Sequence, residues 1–143
     1  MKKIKYFIPS ILIMIFIFYM SNTIGTTSSH ESGSIVSSMS NIFNISNDYF
    51  HIVEVIVRKL GHISEYTFLA ISLFYGIDKT YKKDYLIPFI ISILYACTDE
   101  FHQLFVPGRS GMIQDVFIDS IGIIIGLGIC FIIMKFKDRK KDH

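Results

Sequence analysis

Residues 85–103 read YLIPFIISILYACTDEFHQ, and they decide what kind of fold this chain can adopt. The clean apolar part ends at Thr98, after about 14 residues, or ~21 Å of helix at 1.5 Å per residue. A bilayer's hydrocarbon core is ~30 Å thick and takes roughly 20 mostly apolar residues to cross. To reach the far side the helix must therefore continue through Asp99, Glu100, His102 and Gln103. Ionisable groups at that depth are costly and belong in a bundle interior or a water-filled cavity, not against lipid. The stretch predicts a membrane helix with a polar site near one end.

Three further stretches have the same character. Residues 4–20 form an apolar run with lysines only at its start. A signal peptide shares that look, but the run is long and the following SNTIGTTSSH lacks a small-x-small cleavage site, so an uncleaved anchor is expected. Residues 57–77 carry Arg58, Lys59, His62 and Glu65 in their first half, and residues 116–134 carry Asp119 near their beginning. The expected fold class is an all-α membrane protein: one domain over residues 1–143, a bundle of about four transmembrane helices. Lysine and arginine set its direction. Lys2, Lys3 and Lys5 precede the first span, Lys79, Lys82 and Lys83 lie between the second and third, and Lys135, Lys137, Arg139, Lys140 and Lys141 follow the fourth. That places 11 of the 14 basic residues on one side, leaving Arg58, Lys59 and Arg109 on the other. Both termini are expected in the cytoplasm.

Composition agrees. Of 143 residues, 51% are apolar and 18% charged, and the mean hydropathy is +0.47. Disorder requires the opposite balance, and an ordinary soluble domain carries about a quarter charged residues. The net charge of +2 comes from dispersed bases, so no nucleic-acid partner is expected. Cys97 and Cys130 sit in apolar runs without metal or redox spacing and are expected as buried small residues. The first connecting segment, about 21–47, is rich in Ser, Thr, Asn and Gly. Ile35, Met39 and Ile42 recur in it at helical spacing, as in a short interfacial amphipathic helix, and a Ser-rich loop fits equally well. Asn47 or Asp48 is expected to cap a long helix leading into the second span.

Counted from the lysine-bearing end of each span, Glu65, His62, Asp99 and Asp119 fall at roughly 18–22 Å, and Gln103 and Asp115 at roughly 27–28 Å. Ser21 and Asn22 end the first span at a similar height. Helical phase agrees: Glu54, Arg58, His62 and Glu65 share one stripe, with Lys59 and Tyr66 beside it. Asp99 aligns with Gln103, Glu100 turns further away, and Asp115 and Asp119 continue into Gly122 and Gly126. The Gly122-xxx-Gly126 pair permits close helix packing. Pro107-Gly108 suits the centre of a type II turn, which would fold Arg109 back over the polar layer. Ser110 or Gly111 is expected to begin the fourth helix, whose N-terminal amides would attract an anion. Arg58, Lys59 and Arg109 face Glu65, Asp99, Glu100, Asp115 and Asp119, an excess of two negative charges when every acid is ionised. Shared protons or a divalent cation would balance it, although no tight metal motif such as HExxH is present.

The strings RKLGHISEY (Arg58 to Tyr66) and DEFHQLFVPGRSGMIQDVFIDSIG (Asp99 to Gly122) resemble the VanZ-like membrane protein family. Its pattern pairs a Lys-x-x-His-x-x-Glu-Tyr element with Asp-Glu-x-x-Gln, a Pro-Gly-Arg turn and a following Asp. The resemblance covers nearly the whole chain. Asp119 departs from it, because Asn is expected there in many relatives, which leaves its ionisation open. The resemblance implies a multi-pass protein of the bacterial plasma membrane, with a namesake associated with resistance to the lipoglycopeptide teicoplanin.

Three functions follow as expectations. In the first, an outward polar pocket binds an anionic envelope head group, a cell-wall precursor or the lipoglycopeptide, through Lys59, Glu100, Gln103, Arg109, Asp115 and Asp119. In the second, the pocket is a hydrolase or transferase site in which His62, paired with Glu65, is general base and Asp99 or Glu100 is acid or metal ligand. In the third, the chain is a structural or partner-binding membrane protein whose polar layer only holds helices together, at roughly 0.6–2 kcal/mol per pair.

Overall fold

The structure is a computed structural model that describes residues 4–22, 34, 49–80, 84–109 and 111–140. The segment expected as an interfacial helix and the Asn47 or Asp48 cap lie outside the described residues, as does the side chain of Glu54. Among the described residues there are four α-helices and no strand: α1 (Ile8–Ser21, entered through a 3-10 turn at Ile4–Phe7), α2 (Phe50–Thr80), α3 (Leu86–Gln103) and α4 (Ile113–Arg139).

Local chemistry sets several helix ends. Pro9 stands in the first turn of α1, where its missing N–H removes a donor that would have no helical partner. The Asp84 carboxylate accepts from the amides of Leu86 (2.7 Å) and Ile87 (3.1 Å) and so caps α3. At the other end of that helix the chain turns at Pro107-Gly108. Gly108 has φ of 77° and the Arg109 amide donates to the Val106 carbonyl at 3.1 Å, as expected of a type II turn. The expected start of α4 at Ser110 or Gly111 does not hold. Met112 is extended (φ −130°, ψ 133°) and the helix begins at Ile113, because the loop must first cross back over α3.

Contacts fix the topology. Lys59 meets Asp115 and Thr67 meets Gly122, so α2 and α4 run parallel. The rings of Phe74 and Tyr85 stack at 4.8 Å and those of Tyr66 and Tyr95 lie 6.5 Å apart, so α3 runs against α2. Tyr95 donates to the Met14 carbonyl at 2.6 Å and Phe18 lies 4.8 Å from His102, so α1 runs with α3. The result is an up-down-up-down bundle whose largest interface joins α2 to α4. The first residues of α1 and the last of α4 lie at one end, where Lys5, Lys135, Lys137 and Lys140 are exposed. The buried core, including Ile17, Tyr66, Leu69, Phe74, Ala96 and Ile123, runs between the helices.

The segments Ile4–Ser21 and Ile113–Arg139 are long and apolar enough to cross a membrane, yet only 17% and 33% of their most apolar stretches are buried. The core helix of a soluble domain would bury that face. Here Leu12, Ile15, Phe16, Ile124, Phe131 and Ile133 are each at least 53% exposed, a surface suited to lipid. Cys130 is buried as expected, but Cys97 is exposed. It lies on the outer side of α3, where a small apolar side chain suits lipid as well as a core.

Candidate functional site

At the end of the bundle opposite Lys5, Lys135, Lys137 and Lys140, α2, α3 and α4 bring their ionisable residues together. The base of this region is sealed by glycine. A Cβ on Gly122 would overlap the carbonyl oxygen of Ile63, and one on Gly126 would lie 2.6 Å from that of Thr67. The Thr67 hydroxyl, 2.7 Å from the Ile63 oxygen and 2.9 Å from the Gly122 oxygen, bridges the two backbones. Close approach of α2 and α4 fixes their register one and two turns further on.

That register sets His62 beside Asp119 and Lys59 beside Asp115. The Lys59 ammonium donates to Asp115 Oδ1 at 2.7 Å. His62 Nδ1 stands 3.7 Å from Asp119 Oδ1, beyond hydrogen-bond range. The carboxylate approaching His62 is thus supplied by α4, and not by Glu65 as the expected base pair had it. Glu65 is half-buried one turn on. Asp119 is fully buried, and neither of its carboxylate oxygens, nor His62 Nδ1, has a hydrogen-bond partner among the described residues.

On α3, Gln103 is the organiser. Its amide nitrogen donates to Asp99 Oδ2 at 3.2 Å and to Glu100 Oε1 at 3.0 Å, while its oxygen lies 3.5 Å from Arg109 Nη1. Asp99, Glu100 and Gln103 are all buried. The second oxygen of Glu100 accepts the Met112 amide at 3.0 Å. An amide expected to await an anion near the start of α4 is thus engaged by the chain's own carboxylate. Helical phase alone had turned Glu100 away from the cluster. The returning loop recruits it, and Gly111 makes this feasible, since a Cβ there would overlap the Glu100 carbonyl. Arg109 folds back as expected and also donates to the Met20 carbonyl at 2.9 Å, tying the loop to the last turn of α1, where a cation is favoured.

A cavity of about 270 Å³ opens among these groups, lined by Arg58, Lys59, His62, Gln103, Arg109, Asp115 and Asp119, with Met112 and Gly108 at its edge. Of the residues expected in a site, the structure brings Lys59, His62, Gln103, Arg109, Asp115 and Asp119 to this cavity. Asp99 and Glu100 stand behind Gln103, and Gly122 and Gly126 lie in the seal below. One ring nitrogen of His62 and one carboxylate oxygen each of Glu100 and Asp119 lie within 4.8 Å of one another.

Sequence reasoning missed the Met20 carbonyl, the Met112 amide and the Thr67 hydroxyl. The first two are backbone groups that no side-chain pattern marks. Thr67 did carry a signal, one turn beyond Ile63 in a run that pairs with two glycines.

No curated protein and no solved structure matches the chain. The VanZ/LLP1 family model does match, over residues 6–134, from the entry to α1 through most of α4 and across the whole polar cluster, and the chain belongs to the VanZ/LLP1 family.

Proposed function

We propose that this chain crosses the bacterial plasma membrane four times, with both termini in the cytoplasm, and that its outward cavity binds the anionic head group of a cell-envelope lipid or cell-wall precursor. The observation that carries the reading is the cavity wall: Arg58, Lys59 and Arg109, from α2 and the turn before α4, line the same space of about 270 Å³. Those three are also the bases left over when the other eleven are assigned to the cytoplasmic side. Guanidinium groups offer paired donors that match phosphate and carboxylate. Two of the cavity bases already have partners in their own chain, Lys59 with Asp115 and Arg109 with the Met20 carbonyl, so an anion arriving there would exchange partners and not meet bare charge.

A link to teicoplanin-type resistance is part of the same reading, since that antibiotic acts where such head groups are displayed. The test is teicoplanin susceptibility in cells producing the wild-type protein or Arg109→Ala at equal membrane abundance. It is paired with retention of a phosphate-headed polyprenyl lipid by each purified protein in neutral vesicles. Wild type is expected to protect and to retain the lipid, and Arg109→Ala to lose both. Equal behaviour of the two proteins would sink the anion reading.

A second reading, an envelope-lipid hydrolase or transferase, is favoured by one observation: His62 sits beside the buried Asp119 at the cavity wall, as a general base requires an orienting carboxylate. It predicts that an envelope-lipid profile changes on expression and reverts in His62→Ala. An unchanged profile counts against it.

A further inference from the structure

We propose that His62, Glu100 and Asp119 form a binding site for a divalent transition-metal ion, with Zn²⁺ the best fit, at the floor of the polar cavity.

The three donors come from three helices, and their ligand atoms lie within 4.8 Å of one another. Proximity of acids alone would mean little. The independent observation is Asp119: it is fully buried, and both its oxygens lack a hydrogen-bond partner among the described residues, as does His62 Nδ1 facing it. Buried polar atoms in this state are uncommon and ask for a partner. A shared proton does not supply one. Charge-assisted hydrogen bonds bring their heavy atoms to about 2.7–2.9 Å, whereas His62 Nδ1 and Asp119 Oδ1 are 3.7 Å apart. Two donors on a tetrahedral ion with bonds of about 2.1 Å stand about 3.4 Å apart, so His62 and Asp119 need close by only about 0.3 Å, while Glu100, within 4.8 Å of both, moves inward by up to about 1.4 Å.

The third donor is prepared for the role. Gln103 and the Met112 amide each hold one oxygen of Glu100, and each carboxylate oxygen retains a second lone pair. Such outer contacts orient metal-ligating carboxylates. One imidazole and two carboxylates match the donor set of open zinc sites, which leave a fourth position for water or ligand. Here His62 and Asp119 border the cavity, giving that position access. Charge agrees as well: three bases against five acids leave an excess that one divalent ion cancels. The ion can bind whether or not a head group enters, so this inference and the anion reading can fail separately.

The test uses the full-length protein carrying Cys97→Ser, which removes the exposed thiol, purified in detergent and titrated with Zn²⁺. Stoichiometric binding is expected, accompanied by a raised melting temperature. Asp119→Asn and His62→Gln are expected to weaken binding by at least about a hundredfold, the upper range for loss of an outer-shell contact. No binding by wild type overturns the proposal, as does an adventitious ion only, recognised by equal affinity in Asp119→Asn. Should the variants fail to fold, Co²⁺ in the wild type decides. The visible bands of a four-coordinate nitrogen and oxygen site support the proposal, and the weak spectrum of hydrated, six-coordinate cobalt overturns it.

Discussion

Along α4, Asp115 and Asp119 continue turn by turn into Gly122 and Gly126, and α2 meets the two halves of that stripe differently. At Gly122 and Gly126 there is no room for a methyl group against the Ile63 and Thr67 carbonyls. One turn away, the same pair of helices borders a cavity of about 270 Å³ that takes in Lys59, His62, Asp115 and Asp119. A single helical stripe thus serves first as a seal and then as a wall, and only the side chain changes. Because the seal holds backbone against backbone, it dictates where the carboxylates of the wall come to rest.

The seal is the place to break this arrangement. Gly122→Leu should have the largest effect, because its Cβ meets main chain that cannot yield. A loss of about 3 kcal/mol is expected, seen as a protein that no longer survives detergent extraction as a single folded species. Gly126→Ala places its Cβ 2.6 Å from the Thr67 oxygen and should cost about 2 kcal/mol, read as a lowered thermal midpoint. Gly128→Ala is the control: nothing lies within 4 Å of the added carbon, and it should be neutral or slightly stabilising. A fall in stability there as large as that of Gly126→Ala would remove close approach as the explanation.

Thr67→Val keeps the shape and deletes the hydroxyl that bridges α2 and α4. A cost of about 1 kcal/mol is expected, measured by unfolding in mixed micelles. The smallest effect belongs to the wall. Lys59 and Asp115 are 2.7 Å apart, but the lysine side chain is 39% exposed, so a double-mutant cycle with Lys59→Met and Asp115→Asn should give a coupling below about 1 kcal/mol. A wall pair stronger than the seal would reverse the comparison.

Much of the bundle was legible in the sequence because apolar runs and helical phase are local. The helix expected to continue through its acids to Gln103 does end there. The α4 helix extends beyond the expected 116–134 at both ends, since a helix need not stop where its apolar run does. The phase of Asp115, Asp119, Gly122 and Gly126 was equally readable, being local. What the sequence concealed was pairing across helices. His62 meets Asp119 and not Glu65 because the glycine seal sets the register of α4 on α2. Glu100 enters the cluster because the Met112 amide, twelve residues later, captures it. Neither fact is written in the periodicity of one helix.

Two of the hydrogen bonds that hold α1 to the rest run through backbone carbonyls: the Tyr95 hydroxyl reaches Met14 and the Arg109 guanidinium reaches Met20. Both donors are synthesised some eighty to ninety residues after their acceptors. A helix whose acceptors were side-chain acids would have to wait in lipid with those charges unmet. The Met14 oxygen lies inside a helix and already has an amide partner available in its own turn. The first segment can therefore rest alone in the bilayer while the remainder of the chain is made, and it is fastened only when the polar end of the bundle has assembled around it.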